Sequence, residues 1–217
     1  MRLLDPILRA RARMVREQLA GRGIRDPRVL AVMGAVPRHV FVPPERRAKA
    51  YADQPLPIGE GQTISQPYIV ARMTELLALQ GDEKVLEIGG GSGYQAAVLA
   101  GLARTVISIE RHEALATRAA TTLHELGIAN VTVIHADGSG GWPPLAPYDA
   151  ILMAAAAPRV PSPLLDQLAE GGRLVLPAGG RRMQRLERHT RHADAWRAET
   201  FNEVAFVPLR GEHGWND

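Results

Sequence analysis

Cysteine is absent from the 217 residues. That excludes a disulfide framework, a thiolate zinc site and covalent catalysis by a thiolate. Lysine is almost as scarce, with Lys49 and Lys84 the only ones, so nearly all of the 26 basic residues are arginine. Arginine forks and pairs well, and 23 acids almost balance the basic residues to leave a net charge of +3. The isoelectric point near 9.7 is therefore a weak bias toward anionic partners and no sign of nucleic-acid binding. Long apolar runs are missing too. The longest, Ala150 to Pro158, falls far short of the roughly 20 residues that cross a bilayer. Arg2, Asp5, Arg9, Arg11, Arg13 and Arg16 interrupt the N-terminus, so it lacks the apolar stretch of a secretory leader. A cytoplasmic protein without membrane or nucleic-acid partners is expected. An apolar share of 46% and a charged share of 23% are ordinary for a globular chain. The length predicts a single domain over residues 1–217, with residues 1–64 as an N-terminal extension and 65–217 as the core.

Apolar spacing predicts an amphipathic helix from Leu3 to Gly21, ended by Gly21 and Gly23. Asp26-Pro27 starts a second helix through Met33, with Asp26 as N-cap and Pro27 at the first helical position. Val36 to Pro44 reads as extended and Tyr51 to Ile64, with Pro55, Pro57, Gly59 and Gly61, as a long loop. Ser65-Gln66-Pro67 opens a helix to about Leu79. Strand candidates follow at Lys84–Ile88, Thr105–Glu110, Val131–His135, Tyr148–Met153 and Arg173–Leu176. Between them lie helices at Tyr94–Leu102, at Glu113–Leu126 closed by Gly127, and around Leu164–Ala169. Strands alternating with helices predict a mostly parallel α/β sheet covered on both faces. Gln184–His192, Ala195–Thr200 and Glu203–Leu209 predict an antiparallel edge of three strands.

Gly89-Gly90-Gly91-Ser92-Gly93 joins the first core strand to its helix. Glycine there permits a tight turn and lets a ligand approach the backbone. Glu110 ends the next strand about 20 residues on, where an acid accepts hydrogen bonds from both hydroxyls of a ribose. A dinucleotide fingerprint would be G-x-G-x-x-G. The tighter spacing of Gly89, Gly91 and Gly93 suits a methionine-bearing nucleoside with no pyrophosphate. Glu87 is placed to meet the ammonium of such a ligand. Asp137-Gly138 follows the third core strand, where Asp137 can accept from an adenine amino group, although Asp-Gly is also simply a turn.

Taken together these segments resemble the protein-L-isoaspartate O-methyltransferase family. Pro55-Leu56-Pro57-Ile58-Gly59 with Gly61-Gln62-Thr63-Ile64-Ser65-Gln66-Pro67 resembles that family's own signature. Val36-Pro37-Arg38-His39, Phe41-Val42-Pro43, Val85 through Ala97, Tyr148-Asp149-Ala150-Ile151, Ala154 to Pro158 and Glu170 to Val175 match as well. The resemblance runs from about residue 14 to Val207-Pro208-Leu209. It implies a seven-stranded Rossmann-like class I methyltransferase sheet, doubly wound, with the last two strands rearranged. It further implies S-adenosylmethionine as methyl donor, S-adenosylhomocysteine as product and isoaspartyl peptides as acceptors. By position, Gly89, Gly91 and Gly93 would wrap the methionine, Glu110 would hold the ribose, and Asp137 and Gly138 would flank the adenine. Ser65 would be the catalytic hydroxyl on the substrate side, between Ile64 and Gln66. Three residues depart from the pattern: Gly90 stands where threonine is expected, Met153 replaces a polar or β-branched residue, and Ala136 replaces glycine.

The chemistry implied is an in-line displacement at a sulfonium. A carboxylate acceptor is already ionised at neutral pH, so no general base is required. Alignment to roughly 3–3.5 Å is the task, and a neutral hydroxyl such as Ser65 orients a carboxylate without clamping its lone pairs. Ser65 could equally be only the N-cap of its helix. Two other enzyme readings stand beside this one: the same fold acting on another carboxylate, and a nucleic-acid methyltransferase. The second lacks the Asn/Asp-Pro-Pro-aromatic run of amino-group methylation after Met153, and C5 chemistry needs a cysteine. A protein that binds cofactor without turnover is the remaining alternative. His39, Trp142, Trp196 and Trp215 read as structural. His189 and His192 read as an exposed hairpin without carboxylate partners, so no metal site is expected. The chain is expected to be a monomer, and the arginine-rich stretch Arg181–Arg191 has no role legible in the sequence.

Overall fold

The computed structural model describes residues 6–193 and 195–215. Its centre is a seven-stranded sheet in the order β5-β4-β3-β6-β7-β8-β9. The strands are β3 (Lys84–Ile88), β4 (Thr105–Glu110), β5 (Val131–His135), β6 (Tyr148–Met153), β7 (Leu168–Gly179), β8 (Gln184–His192) and β9 (Ala195–Val204). The pairings among β3, β4, β5, β6 and β7 are all parallel. Those of β8 with β7 and with β9 are antiparallel. The expected fold, with its antiparallel C-terminal edge, is the one observed.

The inner strands are buried on both faces because helices cover them. On one face Val85, Val106, Ala150 and Leu152 pack under α3 (Pro67–Leu77), α4 (Tyr94–Ala100) and α5 (Glu113–Glu125). On the other, Leu86, Ile88, Ile107, Ile151 and Leu174 pack against α6 (Ser162–Asp166), Trp142 and Leu209. Such strands read as continuous apolar runs, which is why they were visible in the sequence.

The N-terminal extension belongs to the same core. Its first helix, α1 (Pro6–Arg13), continues through a wider turn at Met14–Leu19 to Arg22 and stops at Gly23, in left-handed geometry with φ 93°. Residues 3–5 of the expected helix lie outside the described residues. α2 (Pro27–Ala35) starts as expected: the Asp26 side chain accepts the Arg28 N–H at 2.8 Å. Arg38 ties the extension to the core from a fully buried position. Its Nε donates to the Ala50 carbonyl at 2.7 Å and its guanidinium lies 4.8 Å from the Tyr94 ring centre. Burial lowers its pKa to about 10, so it remains charged at neutral pH. His39 is structural, 2.8 Å from the Tyr51 hydroxyl.

Several expectations need correction. Val36–Pro44 is not simply extended, since short 3₁₀ turns form at Arg38–Phe41 and Pro44–Lys49. Tyr51–Ile64 is not an open loop: β1 (Leu56–Gly59) and β2 (Gln62–Ile64) form an antiparallel hairpin. Its turn needs three residues at positive φ, which Gly59, Glu60 and Gly61 supply. Pro57 is tolerated because the two-stranded ribbon leaves its outer edge unpaired. β7 is longer than Arg173–Leu176, because it resumes pairing with Tyr148 at Leu168 across an irregular register. α6 accordingly ends by Asp166. β9 runs unbroken to Val204, and the expected strand Glu203–Leu209 reduces to a single parallel bridge between Ala156 and Pro208.

The arginine-rich stretch acquires partners along this edge. Arg188 forks onto Glu199 at 3.0 and 2.6 Å, and Arg191 donates to the Leu168 carbonyl at 2.6 Å. His189 is neither exposed nor unpartnered: it is nearly buried and lies 2.8 Å from Glu187. Among the described residues no helix is long and apolar enough to cross a membrane, and no cluster of His, Asp and Glu could hold a metal ion.

Candidate active site

The strand order reverses between β3 and β6, since β4 and β5 extend the sheet one way and β6 to β9 the other. Ligands of open α/β sheets bind outside the strand ends at such a switch point. A cavity opens there, lined by Gly89, Gly91, Glu110, His112, Gly138 and Ala154 among others.

The glycine loop is built for close approach. Gly89, Gly91 and Gly93 have φ of 83°, 54° and 84°, where a side chain would be strained. Gly138 is needed for space instead: a Cβ there would come within 3.1 Å of the methyl groups of Ile88 and Ile109. Glu110 anchors the loop. Its Oε2 accepts the Gly91 N–H at 2.8 Å and its Oε1 accepts the His112 N–H at 2.8 Å. Each carboxylate oxygen has a lone pair left, and the residue lines the cavity.

Glu87 sits differently from its expected place. It is fully buried and does not line the cavity. Its Oε2 accepts a short hydrogen bond from the Ser108 hydroxyl on β4, while Oε1 has no partner. Burial, with the Glu110 carboxylate nearby, pushes its pKa up to about 7, against the pull of Ser108. Gly90 is explained by the same cluster. A Cβ at residue 90 would fall 2.3 Å from the Ser108 hydroxyl oxygen, so Ser108 occupies the space of the expected threonine.

Asp137 also has another occupation. Its Oδ1 accepts the Ser139 N–H at 2.8 Å and its Oδ2 the Glu212 N–H at 3.2 Å. Desolvation raises its pKa, but these donors and the Ser139 hydroxyl together hold it below the usual carboxylate value. Asp137 is therefore turned to the C-terminal segment and does not line the cavity, whereas Gly138 does. That segment closes the site, with Val207 to Arg210 in the cavity wall and the Trp215 indole donating to the Ala156 carbonyl at 2.9 Å.

A second, open cleft lies alongside, lined by Pro55, Thr63, Ser65, Gln66, Ile69, Met183 and Phe206 among others. Ser65 is not the helix cap. Gln66 holds that position, without a side-chain cap, and the Ser65 hydroxyl makes no hydrogen bond to another described residue. Gln66 is held by Asp53, to which its amide donates at 2.7 Å. Ile64 is buried and faces the glycine-loop side of the junction. Thr63, Ala154 and Val207 line both the cavity and the cleft. None of these three was singled out from the sequence, because a small side chain at a junction carries no chemical signature.

Residues 10–214 match the family model described as protein-L-isoaspartate(D-aspartate) O-methyltransferase. The chain belongs to this family. A protein-L-isoaspartate O-methyltransferase of Methanoregula boonei is 57% identical to it over 207 residues, 95% of each chain. One of Rhodopseudomonas palustris is 58% identical over 94% of this chain and 84% of its own. Among solved structures, a protein-L-isoaspartate O-methyltransferase superposes with a TM-score of 0.84 at 29% identity, over 94% of this chain and 67% of its own. A Plasmodium falciparum structure named as a member of the same family, in complex with S-adenosyl-L-homocysteine, gives 0.78 at 27% identity over 92% and 98%. The residues of this family member fit such a nucleoside. Gly91 and Gly138 leave room at the cavity wall, and Glu110 retains acceptor capacity toward it.

Proposed function

We propose that the chain carries out its family's reaction, methylating the free carboxylate of L-isoaspartyl residues in damaged peptides and proteins, with the following division of labour. Gly89, Gly91 and Gly93 present backbone to the methionine part of S-adenosylmethionine, Glu110 accepts from the ribose and Gly138 makes room beside the adenine. Asp137 serves the adenine end indirectly, by fastening the segment that closes over it. The bound cofactor supplies an electrophilic methyl group. The observation that carries this reading is the junction at Thr63, Ala154 and Val207, where the cofactor cavity and the open cleft share a wall. Ser65 lies on the cleft side with a hydroxyl that no other described residue engages. It donates to the acceptor carboxylate and turns one oxygen toward the junction. Ile64 and Gln66 set the height of that hydroxyl, since Ile64 is buried and Gln66 is tied to Asp53.

Esterification makes the side-chain carbonyl a better electrophile. The neighbouring backbone nitrogen then closes a succinimide as methanol leaves, and hydrolysis returns part of the product as normal aspartate. The reading takes the chain as a cytoplasmic monomer. Arg197, Glu199 and Glu203 along β9 support that, because charged edge strands resist pairing with another copy. The test uses methyl-labelled S-adenosylmethionine and two peptides identical except for aspartate against isoaspartate. Base-labile label on the isoaspartyl peptide alone is expected. Equal label on both, or on neither while cofactor binds, refutes the assignment of substrate.

A further inference from the structure

Glu87 is an unusual group to find under a cofactor loop. It is fully buried, one oxygen has no partner, and its single hydrogen bond comes from a neutral hydroxyl. Among the described residues no cation offsets it. From β4, Glu110 faces it with a like charge. On α3, Arg72 and Glu75 pair with each other at 2.9 Å. On α4, Tyr94 keeps its proton, its pKa pushed up to about 12 by burial. The glycine loop and the Ala150–Met153 stretch of β6 carry no titratable side chain. Gly90, whose missing Cβ would lie 3.5 Å from Glu87 Oε2, lines a smaller pocket that shares Thr63, Gly89, Gly91 and Ala154 with the cofactor cavity. The backbone at Gly90 thus adjoins both the carboxyl and that pocket.

Resting on the proposed function, we propose that Glu87 is a charge sensor for the cofactor: largely protonated on the acid side of neutrality in the empty enzyme, it gives its proton to solvent when the cationic methyl donor binds, and does so less fully for the demethylated product. S-Adenosylmethionine carries a sulfonium, an ammonium and a carboxylate, a net charge of +1. Its product has lost the sulfonium charge. A buried carboxyl that ionises only against positive charge therefore favours the donor over the product. Such a group discriminates by charge and not by shape, and the two ligands differ in shape by one methyl. Glu87 acts through the loop, as a positioning residue, without touching the reacting atoms.

Proton linkage fixes the sign. A carboxyl that is protonated when empty and ionised when occupied makes affinity rise with pH. With a midpoint near pH 7 in the empty enzyme, donor affinity rises about tenfold from pH 6 to pH 8 and product affinity by less.

The experiment is titration calorimetry of the full chain with S-adenosylmethionine and with S-adenosylhomocysteine. It is run from pH 6 to 8 in buffers of different ionisation enthalpy, so that heat reports the protons released. The wild type is expected to release more protons with the donor than with the product. Glu87→Gln, which keeps the size and an acceptor for Ser108, is expected to abolish that difference and flatten the donor-to-product affinity ratio. Ser108→Ala removes the one group that favours the ionised form and is expected to move the midpoint to higher pH. Histidine titrates in the same range and His112 lines the cavity, so His112→Gln is run beside them, and a donor-to-product difference that vanishes in this variant overturns the proposal. Proton release unchanged in Glu87→Gln, or equal for the two ligands in the wild type, overturns the proposal. Failure of both ligands to bind would instead overturn the cofactor reading itself.

Discussion

Gly90→Ala, made with and without Ser108→Ala, tests whether the hydroxyl of Ser108 has taken over the space that a loop side chain would fill. Gly90 lies outside the left-handed region that Gly89 and Gly91 occupy, so alanine there meets no backbone strain of that kind. Its cost is steric. The new Cβ falls 2.3 Å from the Ser108 oxygen, and that oxygen is buried and tied to Glu87. If the hydroxyl stays, the overpacking costs about 1–3 kcal/mol. If it rotates away, Glu87 loses its one hydrogen bond inside the protein, a loss of about the same size. Either route gives about 2 kcal/mol, a fall in Tm of about 4–8 °C for a domain of this length. Once Ser108 is alanine, the nearest remaining atoms are Glu87 Oε2 at 3.5 Å and the residue 108 Cβ at 3.7 Å, ordinary contacts. Gly90→Ala should then cost less than about 0.5 kcal/mol, leaving a coupling of about 1.5 kcal/mol in the double-mutant cycle. Thermal and urea unfolding followed by circular dichroism measure it. Equal costs in the two backgrounds would show that Ser108 is not what excludes a side chain at residue 90.

Ser65→Ala is expected to lower kcat by about tenfold while S-adenosylmethionine Kd stays within about twofold, since a lost hydrogen bond to a charged group is worth about 1.5–3 kcal/mol; a collapse of cofactor binding by calorimetry would contradict its role. Glu110→Ala removes the acceptor of both Gly91 and His112 and should weaken cofactor binding at least about tenfold, with the isoaspartyl peptide KM at saturating cofactor little changed. Asp137 has a lowered folded pKa, so its contribution is present above the ordinary carboxylate value and is lost as pH falls through the lowered one. The protection factors of the Glu212 and His213 amides should therefore fall in acid, and already at neutral pH in Asp137→Asn. Glu87 has the opposite sign. Its folded pKa near 7 makes the empty enzyme lose stability as pH rises from about 4.5 to 7, by about 3 kcal/mol, and Glu87→Gln should flatten that part of the curve in urea unfolding.

The strands from Lys84 to Met153 were legible because burial on both faces leaves a nearly continuous apolar run, and turn residues punctuate the runs. The hairpin at Leu56–Ile64 was not, because prolines and glycines read as loop whether or not the flanking backbone pairs. The two acids that moved illustrate a second limit. Glu87 and Asp137 stand at the expected strand ends, but a sequence does not say which way a carboxylate turns. That is decided by Ser108 across the sheet and by Glu212, some 75 residues downstream of Asp137. Read along the chain, Gly90 was only a departure where threonine is expected. In three dimensions it is the complement of a serine on the next strand. The positions of Glu110 and of the positive-φ glycines were legible because their requirement is local: a strand end and a turn, joined by the Gly91 N–H that Glu110 accepts.

The shared wall at Thr63, Ala154 and Val207 also sets an aperture. No side chain on it is larger than valine, and the transferred group must cross it between one ligand and the other. On the proposed division of labour the size of these side chains limits the group that passes. Sulfonium analogues bearing ethyl or allyl groups are expected to transfer more slowly than methyl, and Ala154→Gly is expected to narrow that gap, as rates of base-labile ester formation would show.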